Sequence, residues 1–156
     1  MSAPARITLF YPKLAVYGAS ASGRAGEGVV SLEAAYYDAR QDRSGSDFTV
    51  PNAQTRLLAG YQWQPWEDGS LGLQYYAEYM HDYRAYRASL PAGLPADKRR
   101  TDTFTARLTQ FFLHQTLRLS FYAAYNHGNG DRYLNPELRY AVSDRVWVAV
   151  GANVFG

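Results

Sequence analysis

Cysteine is absent from the 156 residues, which excludes a disulfide framework, a thiol nucleophile and any cysteine-ligated metal. Lysine is nearly absent too. Of 16 basic residues, Lys13 and Lys98 are the only lysines and the rest are arginine. A soluble β-protein scatters Lys over its wet face and exposed edges. Arginine is favoured where charges are enclosed and must pair through fixed hydrogen bonds. The net charge is only +2, so nothing calls electrostatically for nucleic acid. No apolar run reaches the roughly 18 residues of a transmembrane helix. The opening MSAPAR lacks the apolar centre of a signal peptide. The expectation is either a cytosolic chain or an exported one whose signal has been removed. Length fits one domain, 1–156.

What the chain has in excess is alternation. The stretch LGLQYYAEYM, 71–80, places Leu71, Leu73, Tyr75, Ala77 and Tyr79 on one side and Gln74 and Glu78 on the other. That is the period of a β-strand. Similar runs occur at 6–20, 28–39, 53–64, 101–113, 117–126, 132–142 and 146–155, the fourth extending to about 83. Helix signals are scarce. Gly-rich GRAGEG, PWEDG, HQT and SDR read as tight turns; 40–52, 84–101 and HGNGD read as the opposite set of longer connections. About eight strands of about ten residues follow. Soluble strands are usually about five to six residues long, whereas a tilted bilayer-crossing strand takes about nine to eleven.

Sorting each strand by parity gives one uncharged apolar band. It starts with Leu14 and Val16, then runs through Val30, Leu57, Leu73 and Phe104 to Leu119, Leu138 and Val150. The other parity carries Lys13, Glu33, Arg56, Gln74, Glu78, Arg107, Arg118, Glu137 and Arg139 among Gly and Ala. Small residues between paired charges suit the interior of a narrow barrel. All three Trp, at 63, 66 and 147, sit near tight turns, while tyrosines such as Tyr36, Tyr79, Tyr83 and Tyr133 sit near the long loops. Two aromatic rings at opposite strand ends are what the two membrane interfaces select.

These residues resemble outer-membrane β-barrels of Gram-negative bacteria over nearly the whole chain. More narrowly, FYPKLAVYG, LGLQYYAEYM and NPELRYAVSDRVWVAVGANVFG resemble the later strands of larger porin-like barrels. The resemblance implies an all-β, antiparallel, up-and-down transmembrane barrel in the outer membrane, monomeric and surrounded by lipid or detergent. It implies porin-like passive transport without catalysis or cofactor. If tight turns are periplasmic, both termini fall on the long-loop side, and the last strand ends Phe155-Gly156 rather than on an aromatic. That points to a piece of a larger barrel or a re-engineered small one; the alternative is that the long connections are periplasmic.

The interior charges are the candidate site. Glu33, Glu78 and Glu137 are expected to pair with Arg56, Arg107, Arg118 and Arg139, as the lining of a water-filled pore or as a salt-bridged plug. Eight strands leave an interior just wide enough for side chains, which favours the plug for this chain alone. Arg84, Arg87, Lys98, Arg99 and Arg100 make the longest loop basic and able to meet lipopolysaccharide phosphates. His81, His114 and His127 lack metal-ligand spacing, and no nucleophile motif accompanies His81-Asp82. HGNGD could offer Ca²⁺ Asn126, Asn129 and Asp131, but a hairpin turn explains it better. A soluble lipocalin-like binder would require the two faces to be exchanged.

Overall fold

The structure, a computed structural model, describes residues 11–156. Residues 6–10 of the expected first strand lie outside it. The elements are β1 (Leu14–Ala25), β2 (Gly28–Ala39), β3 (Gln54–Trp63), β4 (Gly69–Met80), α1 (Tyr83–Ser89), β5 (Arg100–Phe112), β6 (Leu117–Asn126), β7 (Arg132–Ser143), β8 (Val146–Gly151) and β9 (Val154–Phe155). Each strand pairs antiparallel with the next, in the order β1 to β8. β9 continues β8, because Glu137↔Gly151 and Leu134↔Val154 keep one register and the Ala152 N–H donates to the Pro136 carbonyl between them. The chain is therefore an all-β up-and-down antiparallel sheet.

The sheet is open. Among the described residues, the outer edges of β1 and β8 have no neighbouring strand. It is also strongly staggered. One row of opposed residues runs Gly23, Val30, Tyr61, Leu73, Ala106, Ala123, Leu134, Val154. It begins near the tight-turn end of β1 and finishes at the long-loop end of β9. A stagger of this kind is what barrel closure demands of tilted strands.

Two elements differ from expectation. The first hairpin is tighter than GRAGEG suggested. Ala25 pairs with Gly28, so only Gly26 and Glu27 turn, with Gly26 at φ 59°. The 84–101 loop contains α1, which buries Tyr86; the Tyr86 hydroxyl donates to Asp97 Oδ2 (3.2 Å) and accepts from the Asp97 N–H (3.1 Å). Seven residues give too little periodicity to declare a helix, and Asp82 before it is left-handed (φ 51°) with no side-chain capping bond.

Apart from glycines, the buried residues among those described lie at the long-loop end: Ala39, Val50, Asn52, Ala53, Met80 and Tyr86. Loop 40–53 folds onto the start of the 81–99 loop there. The His81 N–H donates to the Ala53 carbonyl, and Asn52 Nδ2 donates to the His81 carbonyl, at 2.8 and 2.9 Å. Gly45 (φ 65°) is required beneath this loop, because a Cβ would lie 2.4 Å from Asn52 Nδ2. The strands themselves contribute little to this core, and among the described residues no layer covers either face of the sheet.

Candidate functional site: the polar face of the sheet

Antiparallel pairing puts directly opposed side chains on the same face, so the register decides which charges meet. On β3 and β4, Arg56 faces Glu78, with Nε 3.0 Å from Oε2. The Arg56 guanidinium lies 4.2 Å from the Tyr37 ring centre and donates to Gln54 Oε1 at 2.8 Å. The Tyr76 hydroxyl donates to Glu78 Oε2 at 2.9 Å. Toward the tight turns, Gln74 sits between Gly60 and Thr105. Gly60 is needed there, since a Cβ would approach Ser31 Oγ to 2.7 Å.

On β6 and β7, Arg118 Nη2 donates to Glu137 Oε1 at 2.7 Å. Arg118 is also directly opposite Arg139, a like charge, while Glu137 opposes Ser120. Arg139 lies 4.0 Å from the Trp147 ring centre, and Arg107 lies 5.7 Å from that of Tyr122. Tyr133 and Asn135 both donate to Asn153 Oδ1, at 2.6 and 3.0 Å. Recesses of about 380, 310 and 510 Å³ open along this face from β1 to β7.

Two of the expected ion pairs thus form, Arg56–Glu78 and Arg118–Glu137. Arg107 and Arg139 rest on aromatic rings instead. Glu33 is exposed opposite Ser20 and Leu58, without an ion pair among the described residues. Lys13 precedes β1 and is exposed; its carbonyl accepts from the Arg40 N–H, and the β1–β2 register carried one step further sets it beside Arg40. That position belongs to the parity of Tyr17, opposite to Glu33. The same register corrects Leu14 and Val16. They oppose Ala39 and Tyr37, on the polar face, while Tyr17, Ala19 and Ala21 join the apolar one. Trp147 opposes Ala141 and likewise belongs to the polar face with Arg139.

The apolar face is uncovered. Leu57, Leu73 and Val150 are 49, 45 and 69 % exposed. On β7, Leu134, Leu138, Tyr140 and Val142 are exposed while Asn135, Glu137 and Arg139 are half-buried. This inverts the usual preference of a water-soluble sheet. A groove of about 830 Å³ crosses the apolar face over the small residues Ala59, Ala106 and Ala123. The band ends in charge at the long-loop side. There Asp102 accepts from the Tyr75 hydroxyl (2.5 Å), and Arg100 pairs with it at 2.9 Å. At the opposite end Trp66 Nε1 donates to Gln110 Oε1.

Of the basic loop residues, Arg84 and Arg99 line one recess of about 410 Å³ with Asp82 and Tyr83. Arg99 stacks on Tyr79 (4.9 Å) and donates to its hydroxyl. Arg100 is engaged by Asp102, and exposed Arg87 and Lys98 lie outside that recess. His81 bonds Thr55 Oγ1 through Nε2 at 2.8 Å and meets Tyr36 and Tyr79 edge-on. HGNGD closes as a hairpin, with the Asn129 N–H donating to Asn126 Oδ1. No group of three or more His, Cys, Asp or Glu able to hold a metal occurs among the described residues. Comparison with protein-family models, curated proteins and solved structures finds no match.

Proposed function

We propose that this chain is the wall of a bacterial outer-membrane β-barrel, with the apolar face on lipid and the polar face lining a lumen. Its function in this reading is porin-like passive transport, as a small barrel or as part of a larger pore. One observation carries the reading: among the described residues no layer covers the apolar face, and on β7 the charged side is the more enclosed of the two. A sheet must bury its apolar side against something, and none of the described residues forms a layer over it. Lipid supplies that cover without leaving the ladder's hydrogen bonds unmade. Supporting it are β1–β7 of 10 to 13 residues, the stagger, and the Arg100–Asp102 pair that ends the band at the long-loop side. Open edges on β1 and β8 fit closure on each other or on further strands.

The Arg56–Glu78 and Arg118–Glu137 pairs favour a second reading, a non-conducting barrel whose interior is filled by salt bridges. Purification and conductance separate these readings. A membrane barrel needs detergent and changes its gel mobility on boiling. Discrete conductance steps in planar bilayers then support a pore, and silence from the folded, heat-modifiable protein supports the plug. A chain that stays folded and monodisperse without detergent overturns both.

A further inference from the structure

Resting on that reading, we infer that the lumen selects anions, and that the selecting group is the arginine cluster of β5–β7. On β3–β4 the one arginine of the polar face, Arg56, is matched by Glu78. On β5–β7 three arginines, Arg107, Arg118 and Arg139, face a single carboxylate, Glu137. Two guanidinium charges are therefore left over in one region.

The geometry keeps those charges available. Arg107 and Arg139 lie on Tyr122 and Trp147, at 5.7 and 4.0 Å. An aromatic face holds a guanidinium in place without neutralising it and leaves its N–H edge free to donate. Arg118 uses Nη2 on Glu137, but its buried Nε has no hydrogen-bond partner. An enclosed donor of this kind costs stability unless something accepts from it. The 510 Å³ recess takes in Arg107, Arg118 and Glu137 with Thr109, Ser120 and Tyr122, while Arg139 is not among its lining residues. The Thr109, Ser120 and Tyr122 hydroxyls can donate to a passing anion as water does, whereas the donors of Tyr133 and Asn135 are engaged by Asn153 and the Ala152 carbonyl. The ligand class is a small, hydrated anion: chloride, inorganic phosphate or a short carboxylate. A sodium or potassium ion would meet net positive charge there.

The magnitude follows from Coulomb's law. One unit charge roughly 6 Å from an ion in a water-filled lumen changes its occupancy about threefold. Two surplus arginines at that distance should therefore raise chloride about tenfold and lower potassium about tenfold, a ratio on the order of 100 at low salt, less as screening grows. The test is the reversal potential of the full-length protein in planar bilayers across a KCl gradient. The wild-type sign should be that of chloride preference. Arg107→Gln with Arg139→Gln should bring the ratio toward unity, and Arg107→Glu with Arg139→Glu should reverse it. Arg107→Lys with Arg139→Lys should retain the preference, which guards against a loss that reflects only misfolding. A conducting wild type that is unselective or prefers potassium overturns the inference and leaves the pore reading intact. A folded protein that never conducts overturns both.

Discussion

Leu73 and Gln74 are adjacent in sequence and opposite in space. Leu73 lies between Tyr61 and Ala106 on the apolar face; Gln74 lies between Gly60 and Thr105 on the polar one. Replacing each with arginine places the same charge on either side of one strand. Leu73 is 45 % exposed and no protein layer covers it, so in water the change should stay within about 0.5 kcal/mol. Against lipid, an arginine near the midplane of a barrel costs about 2–4 kcal/mol. Gln74→Arg should cost well under that, because Gly60 leaves space beside it and the lumen is polar. The expected difference is thus about 2 kcal/mol or more. Urea unfolding of the protein refolded into liposomes measures it. Leu71, opposite Trp63 and closer to the tight turn, should tolerate arginine better, at about 0–1 kcal/mol, because it sits nearer the interface. Shortening the lipid acyl chains should reduce the Leu73 cost. If Leu73→Arg and Gln74→Arg cost the same, or if the cost is flat from Leu71 to Leu73 and indifferent to lipid thickness, the assignment of faces is wrong.

Glu137→Gln removes the carboxylate that pairs with Arg118, the arginine directly opposite Arg139. The expected loss is about 1–2 kcal/mol, between the values for exposed and buried pairs; a cycle with Arg118→Gln should show coupling that shrinks with salt, and strict additivity would refute the pairing. Asp42 accepts from the Ser44 hydroxyl (2.7 Å) and the Asp47 N–H (2.6 Å), which holds its carboxyl below the ordinary 3.8. Its contribution to loop order is therefore complete above that value and fades as pH falls through the lower folded one. Amide-exchange protection at 42–47 should drop in acid, and Asp42→Asn should remove the pH dependence; protection unchanged well below that range would contradict it. Gly45→Ala drives a Cβ toward Asn52 Nδ2 at a backbone φ of 65° and should cost about 1–3 kcal/mol of local order. Faster protease cleavage within 40–53, with the strands intact, is the readout, and unchanged cleavage would show that the loop does not depend on this contact.

From β2 to β7 the faces were legible because bulky apolar residues and polar ones alternate with contrast, as in Leu71-Gly72-Leu73-Gln74. β1 was not legible. LAVYGASASGRA carries small or apolar residues at both parities, so period two has no contrast there. Only the pairing of Val16 with Tyr37 and Tyr17 with Tyr36 decides its facing. The seven-residue α1 was missed for a related reason, since its one buried anchor, Tyr86, leaves no pattern. Trp147 falls on the polar parity of its strand by its number, and the β7–β8 register, which sets it opposite Ala141, agrees. For the site, the candidate charges could be named from parity, yet which arginine meets which glutamate could not. Arg107 and Arg139 both had the right face, and neither has a carboxylate opposite it.

Sequence by itself determined that this is a chain of about eight antiparallel strands with one apolar and one charged side. Each of those properties is local, set by alternation along a strand and by turn residues at its ends. Tertiary structure alone decided the register, and with it the Arg56–Glu78 and Arg118–Glu137 pairs, the two arginines left on aromatic rings, and the open edges of β1 and β8. Those depend on how far neighbouring strands slide past one another. A slide of two residues preserves every face and changes every partner.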